Sequence, residues 1–392
     1  MTAAEGAASA GAGPPGEVRR LAVVGAGLVG GSLCLAAREL GLDHVVVTDH
    51  DPTVRARAVE LGLADTVADE PATAVAAADL VVVATPMPTV PTVLEEIASF
   101  IQPDALLTDV SSLKGKLTFE VESRLRRIGV DPGRFVGGHP MAGSERSGPD
   151  AADGSLFQAA TWVLTPTDAT HDATLHTVSG FLRRLGARVL VLPPDRHDEL
   201  VAVISHLPQL VSSVLADVAA DQAEIAGDAL LALAGGGFRD TTRIAASDPD
   251  LWLGILEGNR PAVLDALEAY RARLGELAGS LGQGDHDAVR ALLSRASAAR
   301  RRLVPKSVQA PVVDLVVALE DRPGALARAT SAVGEAGVNI EDLAMRHAEA
   351  GERGALIVRV DAAASARAVA ALERQGLHVH VEDVDPAAGG RP

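Results

Sequence analysis

Six residues constrain this chain more than any others. Gly25-Ala26-Gly27-Leu28-Val29-Gly30 follows the apolar run Leu21–Val24 directly and leads into a helix-length stretch. The first glycine permits a tight turn, the second lets a pyrophosphate approach the backbone, and the third allows close helix–strand packing. The helix N-terminus, with the amides of Leu28 and Val29, then faces the phosphates. Alone, the pattern is also that of a glycine-rich turn, so its context decides. Asp49 closes the second apolar run, 19 residues beyond Gly30. A carboxylate there accepts hydrogen bonds from a ribose 2′-hydroxyl and repels a 2′-phosphate. No arginine or lysine stands beside it before Arg55. The expected cofactor is therefore NAD rather than NADP.

The pattern that begins there repeats to residue 190. Leu21–Val24, His44–Thr48, Leu80–Ala84, Ala105–Thr108, Phe135–Val136, Trp162–Leu164 and Arg188–Leu192 are apolar runs separated by helix-length stretches. Nearly continuous apolar runs suit strands buried on both faces of a largely parallel sheet, so the expected class is α/β, a doubly wound Rossmann-type domain. Thr85-Pro86, Asp109–Gly115 and Gly137-Gly138-His139-Pro140 follow three of these runs. In an open parallel sheet such ends share one edge, where the cofactor crevice lies. His139 is thus expected in a loop just past a strand, beside the nicotinamide, with Thr85 at the neighbouring strand end.

From about Asp195 the strand runs stop. Leu200–Ala234 is apolar at helical spacing and halts at Gly235-Gly236-Gly237, while Asp248-Pro249 and Asn259-Arg260-Pro261 look like capped helix starts. Leu267, Tyr270, Leu274, Leu277 and Leu281 form a narrow stripe that should pack against another helix, either as intramolecular core or as a homodimer seam. A Pro-bearing linker follows. Then come strand Val312–Leu319, helix Pro323–Ala336, strands Val338–Arg346 and Gly354–Val360, helix Ala364–Gln375 and strand Leu377–Val381. That order, βαββαβ, is the ferredoxin-like arrangement. The expected organisation is a disordered leader (1–18), a dinucleotide-binding domain (19–192), a helical substrate and dimerisation domain (193–304), a linker (305–310) and a regulatory domain (311–385).

Composition limits the partners. A formal charge of −17 without a basic cluster argues against nucleic acid and anionic membranes. An anionic substrate must then be captured by a few locally placed cations. The single cysteine, Cys34, excludes an intrachain disulfide and a cysteine-based metal site, and cytoplasm is the default compartment. Uncharged apolar runs such as Leu80–Val83 are strand-sized, so no segment is expected to span a membrane.

Four segments now stand out together. Asp109-Val110-Ser111-Ser112-Leu113-Lys114-Gly115-Lys116, Gly137-Gly138-His139-Pro140-Met141-Ala142-Gly143-Ser144-Glu145, Ile204-Ser205-His206-Leu207-Pro208 and Gly236-Gly237-Phe238-Arg239-Asp240-Thr241-Thr242-Arg243 occur in that order. Residues 20–300 thereby resemble prephenate/arogenate dehydrogenases. The C-terminal segment resembles an ACT domain, with Asp321-Arg322-Pro323-Gly324 at its first turn and Gly337-Val338-Asn339-Ile340 before its second strand. The resemblance implies a cyclohexadiene substrate, prephenate or arogenate, with a hydroxyl at C4 and a carboxylate at C1. Hydride leaves C4, the hydroxyl proton is taken, and CO2 departs as the ring aromatises. It also implies that His139 accepts the hydroxyl hydrogen bond, that Ser112 orients His139 and the hydroxyl, and that Arg243 holds a carboxylate. A guanidinium suits that task because its planar fork pairs with a carboxylate bidentately. His206, His197 and Glu145 are expected to line or support the pocket.

Many relatives carry a histidine where this chain has Gln209, which leaves the keto acid and the amino acid both open. The ACT resemblance implies an aromatic amino-acid effector, tyrosine foremost. Two rival readings are a phosphoglycerate-type hydroxyacid dehydrogenase and a non-catalytic NAD or amino-acid sensor. The position of the nucleotide fold at residue 21 opposes the first. The set Ser112, His139 and Arg243 opposes the second.

Overall fold

The computed structural model describes residues 17–142, 146–226, 233–303, 312–320, 324–340, 342–347 and 353–383. Two compact units divide between Leu274 and Gly275.

The first unit is built on strands β1 (Arg20–Val24), β2 (His44–Thr48), β3 (Thr66–Val67), β4 (Leu80–Val83), β5 (Leu106–Asp109), β6 (Phe135–Pro140), β7 (Thr161–Thr165) and β8 (Arg188–Val191). Their spatial order is β3-β2-β1-β4-β5-β6-β7-β8. The helices between them are α1 (Leu28–Glu39), α2 (Pro52–Glu60), α3 (Pro71–Val75), α4 (Val90–Ile97), α5 (Gly115–Arg127) and α6 (Asp172–Arg184). Strand polarity alternates which core each residue enters. Leu21 and Val23 pack with Leu33, Leu80 and Val82 on one face, while Ala22 and Val24 pack with Val81, Val83 and Leu94 on the other. This two-sided burial is why the apolar runs are continuous. Each fully buried Val or Leu contributes about 1.5–3 kcal/mol of transfer free energy.

Strand order reverses between β1 and β4, which run parallel. The turns that follow them, Gly25–Gly27 and Ala84–Thr85, therefore flank a crevice at the sheet's carboxyl edge. The far side of the sheet departs from the expected loop. β6 begins parallel to β5 at Phe135 and Val136, then continues antiparallel to β7, with His139 opposite Val163 and Pro140 opposite Trp162. His139 consequently lies inside a strand rather than beyond one, because the β7 ladder keeps Gly137–Pro140 extended.

Beyond the sheet, α7 (Pro194–Val201) and α8 (Leu207–Ala226) are joined by a π-helical stretch, Ala202–His206. Pro208 has no N–H to offer the Ile204 carbonyl, and its ring crowds that turn. The chain answers by widening rather than breaking, which leaves a local π turn ahead of Pro208. The resulting helix, Pro194–Ile225, is 32 residues long and apolar enough, by length and composition, to cross a membrane. Ser205, Pro208 and Gln209 break its apolar stretches into short runs, so no single long apolar run marks it in the sequence. Its Val203, Ile204, Val214 and Val218 are more than half exposed.

Among the described residues this unit also holds α9 (Gly236–Thr242), α10 (Pro249–Gly258) and the first part of α11 (Arg260–Gln283). Asp248 caps α10 as expected, accepting from the amides of Asp250 and Leu251 at 2.8 and 3.3 Å. Asn259 does not cap α11; its side chain turns inward to other partners. Nor is the leucine stripe intramolecular core. Leu267, Leu274 and Leu281 are 40%, 48% and 61% exposed, and α11 buries Val263 and Ala266 instead.

The second unit contains the end of α11, α12 (His286–Leu303), and a four-stranded antiparallel sheet. Its strands are β9 (Val312–Glu320), β10 (Asp342–His347), β11 (Arg353–Asp361) and β12 (Val379–Asp383), in the order β10-β11-β9-β12. Helices α13 (Ala325–Glu335) and α14 (Ser365–Arg374) cover it around Leu315, Val317, Val333, Leu356, Val358 and Leu372. This is the ferredoxin-like order. β10 starts at Asp342 rather than at Val338, since Val338 is drawn into the sheet–helix core before the strand begins. Gly324 heads α13 at φ +85°, a left-handed conformation that favours glycine. Asp321 lies outside the described residues.

Candidate active site

The glycine-rich turn is shaped as a cradle. A Cβ on Gly25 would lie 2.5 Å from the Ala84 carbonyl oxygen, and one on Gly30 would lie 1.9 Å from the Gly25 carbonyl oxygen. Neither fits. Gly27, by contrast, has no atom within 4 Å of where its Cβ would stand, so the backbone is open on the side that a diphosphate must approach. Helix α1 starts immediately after, at Leu28 and Val29. Asp49 is held by the amides of Ala26 and Asp51 at 2.9 and 3.0 Å, which locks the carboxylate beside the turn. Arg55 does reach this corner. It donates to the Asp49 backbone carbonyl at 2.7 Å and lies 3.4 Å from the Asp69 carboxylate. Across the crevice Thr85 accepts a hydrogen bond from Thr89 at 2.9 Å. These residues fit a dinucleotide.

A column of polar side chains stands farther along the same edge. His139 Nδ1 is 2.8 Å from His197 Nε2, and His197 Nδ1 is 2.8 Å from Asp198 Oδ1. Asp198 in turn accepts from the amides of Lys114 and Gly115, at 2.9 and 2.8 Å. α7 thus carries a carboxylate and an imidazole that meet both the turn after β5 and the strand β6. Burial chiefly, then the neighbouring His197, Lys114 and His206, hold the His139 imidazole well below its ordinary pKa. It is neutral at neutral pH.

Lys114 underlies this column. Its ammonium is wholly buried, donating to Asp109 at 2.5 Å and to the Gly138 carbonyl at 2.7 Å. Asp109 also accepts from the amides of Ser111 and Gly138, at 3.0 and 3.1 Å. One buried ion pair therefore joins the end of β5 to the strand bearing His139. Gly138 must be glycine here, since a Cβ would lie 2.6 Å from the Asp109 carbonyl oxygen.

His206 faces the column from the π turn. It is buried, and that burial lowers its pKa to about 4. Asn259 Nδ2 donates to the Asp198 carbonyl at 2.8 Å, which fixes the orientation of the amide, and lies 3.3 Å from His206 Nδ1. An NH2 group can only donate, so His206 Nδ1 accepts and its proton sits on Nε2. Trp252 lies edge-on to the His206 ring at 6.0 Å between centroids. Gln209, one turn farther on, is 5% exposed, and its Oε1 has no hydrogen-bond partner among the described residues.

The remaining expected residues fall as follows. Ser112 is half-buried in the turn after β5, but no hydrogen bond joins it to His139 among the described residues; His139 Nδ1 is bonded to His197. Arg243 opens a short 3-10 turn after α9, alongside α8, with its side chain exposed. Glu145 lies outside the described residues. Sequence reasoning missed Asp198 and Asn259, and treated Asp109 and Lys114 only as parts of a motif. Charged residues inside an otherwise apolar register were the available signal for the last two.

Comparison with known proteins agrees with this anatomy. Family models match the chain as the prephenate dehydrogenase nucleotide-binding domain over residues 33–191, the prephenate dehydrogenase dimerization domain over 193–295, and an ACT domain over 313–376. Prephenate dehydrogenase from Bacillus subtilis is 32% identical over 333 residues, covering 82% of this chain and 86% of that protein. Among solved structures, prephenate dehydrogenase from A. aeolicus in complex with hydroxyphenyl propionate and NAD+ is 30% identical. It aligns at a TM-score of 0.67 over 73% of this chain and 98% of its own. Synechocystis arogenate dehydrogenase is 31% identical, with a TM-score of 0.64 over 73% of this chain and 100% of its own. With its dinucleotide cradle, its buried histidine column and its ferredoxin-like C-terminal unit, the chain belongs to the prephenate dehydrogenase family.

Proposed function

We propose that this chain catalyses the NAD-dependent oxidative decarboxylation of prephenate to 4-hydroxyphenylpyruvate and CO2. The observation that carries the reading is a neutral, half-buried histidine, His139, on the same sheet edge as the glycine cradle. NAD, when bound, supplies the hydride acceptor. Gly25, Gly27, Leu28, Val29 and Gly30 would hold its diphosphate, Asp49 its ribose, and Thr85 the opposite wall. His139 takes the C4 hydroxyl proton as hydride departs. The C1–carboxylate electron pair then enters the ring, which aromatises, and the phenol oxygen recovers a proton. Because aromatisation drives the reaction, the chain's residues chiefly orient, accept a proton and bind carboxylate. Ser112 lines the hydroxyl end, His206 Nε2–H donates to the substrate, and Arg243 pairs with a carboxylate. The test is NADH formation with prephenate; a folded enzyme that turns over neither cyclohexadiene sinks the reading.

Arogenate is a second substrate reading, favoured by Gln209. An acceptor buried without a partner costs free energy that an incoming donor relieves, and an ammonium is such a donor. Steady-state rates with prephenate and arogenate side by side separate the two.

Two substitutions probe the binding groups. Asp49→Ser should weaken NAD by about tenfold, on the scale of a lost charged hydrogen bond, and relax discrimination against NADP. Equal efficiency of the unaltered enzyme with both cofactors would contradict the assignment. Arg243→Ala should raise the substrate KM by about ten- to a hundredfold while leaving that for NAD nearly unchanged, and Arg243→Lys should recover only part, lacking the bidentate fork. Equal effects on both constants would mark a structural arginine.

The exposed apolar face of the helix Pro194–Ile225 and the leucine stripe of α11 support a homodimer through these helices. The ferredoxin-like unit is read as a sensor of an aromatic amino acid, tyrosine foremost, held by Asp321 and Asn339 where Gly324 leaves the backbone open. Tyrosine should then inhibit the full chain in a manner not purely competitive with prephenate, and Asn339→Ala should relieve that inhibition at unchanged kcat. Strictly competitive inhibition that Asn339→Ala does not alter would instead place tyrosine in the active site as a product analogue.

A further inference from the structure

We propose that Asp198 and His197 set the tautomer of His139, holding its proton on Nδ1 so that Nε2 stands as the bare acceptor for the substrate hydroxyl. The inference rests on the reading of His139 as the proton acceptor and makes His197 and Asp198 positioning residues.

The direction of the column follows from what each atom can do. Asp198 accepts the amides of Lys114 and Gly115, so its carboxylate is fixed in orientation by obligatory backbone donors. A carboxylate only accepts, so the His197 nitrogen 2.8 Å away carries a hydrogen at Nδ1. His197 is 1% exposed, and a neutral ring there has its lone pair on Nε2. The atom facing that lone pair, also at 2.8 Å, is His139 Nδ1, which must therefore be the donor. What remains on His139 is an unprotonated Nε2. A free histidine side chain favours the opposite tautomer, with hydrogen on Nε2 and no basic atom at that position. The column removes this mismatch before substrate arrives.

The same arrangement serves the charged state. When Nε2 takes a proton, the imidazolium already donates through Nδ1 to His197, which is itself oriented by Asp198. No group has to turn. The other charged and titratable groups near His139 are Lys114, at the start of α5, its ion-pair partner Asp109, which also accepts from the Gly138 amide, and His206, in the π turn; of these Lys114 opposes added positive charge. Asp198, one ring away, is the anion on the column's axis. Asn259 fastens the Asp198 backbone carbonyl and gives His206 the reverse tautomer. Two neutral imidazoles thus face one site in complementary states, one as acceptor and one as donor. Asp198 also pins Lys114 and Gly115 at the start of α5, in the turn that carries Ser112, so a single carboxylate registers both the serine turn and the histidine strand.

Tautomers are read directly by long-range nitrogen–proton correlation on the full chain labelled with 15N-histidine, His139 being assigned from the spectrum of His139→Asn. At pH 7.5, about one unit above the ordinary imidazole pKa, His139 should show hydrogen on Nδ1, and in His197→Phe it should revert to Nε2. In kinetics, His197→Phe should lower kcat by about a hundredfold, the scale of a mis-set general base, with the KM for NAD within about twofold. His197→Gln keeps an acceptor oxygen on a side chain of comparable reach and should recover at least severalfold of that loss. A His139 spectrum with hydrogen on Nε2 in the unaltered protein overturns the proposal. So does a His197→Phe enzyme with unchanged kcat. The tautomer measurement needs no substrate, so failure to turn over prephenate or arogenate would fell the functional reading and leave the column to be judged on its own.

Discussion

Replacing His139 by asparagine is expected to cut kcat by about a hundredfold or more, the usual scale for a lost acid–base group, while NAD affinity stays nearly constant. Asparagine preserves size and a hydrogen-bonding atom near Nδ1, so β6 should keep its register against β7. What disappears is the basic Nε2. The pH profile follows from the same environment. Burial, then His197, Lys114 and His206, push the imidazole well below its ordinary value. The free enzyme therefore holds the base form through neutrality, and the acid limb of kcat/KM should lie below about 6.5. Activity rises with pH across that limb and is level above it. A depressed imidazole also bears on stability. The unfolded chain binds a proton at higher pH than the folded one, so stability is greatest above about 6.5 and declines as pH falls from there. His206, lowered to about 4, adds to the same acid-side loss. Near-normal kcat in His139→Asn would end the role assigned to this residue.

Lys114→Met is expected to cost about 3–5 kcal/mol of folding stability, the range for breaking a buried ion pair by removing one partner. Methionine fills nearly the same volume, so cavity formation contributes little. The loss comes from what is left behind. Asp109, fully buried, would keep only backbone donors, and the Gly138 carbonyl would lose its ammonium partner. Urea unfolding of the variant against the unaltered chain measures the difference. A change under about 1 kcal/mol, the range of exposed pairs, would mean that this pair does not behave as a buried one. Since Gly138 precedes His139 on β6, the surviving folded fraction should also show a reduced kcat.

The alternating core and the glycine turn were legible in the sequence because each depends on short-range rules. A strand buried on both faces must be apolar at every position, and only glycine tolerates the contacts at residues 25 and 30. Strands β1, β2 and β4 accordingly lie within a residue or so of their apolar runs. The ferredoxin-like order was readable for the same reason, its helices and strands alternating with distinct periods.

The column beneath His139 was not readable, because no local rule connects its members. Asp109 with Lys114, His139, Asp198 and Asn259 come from four separate stretches and meet only when β5 and the turn after it, β6, α7 and the junction of α10 with α11 are assembled. Asn259 shows the difference sharply. Its neighbours Arg260 and Pro261 mark a helix start, and local chemistry alone makes it a cap; in the fold it is buried and satisfies Asp198 and His206 instead. His139 likewise reads as a loop residue until β7 pairs with it antiparallel. The sequence by itself determined the layers, the cofactor edge and which residue types could do the chemistry. Which nitrogen of a histidine carries a proton, and which carboxylate steadies it, was decided only by tertiary structure, since a hydrogen bond depends on angstrom-scale placement of groups far apart along the chain.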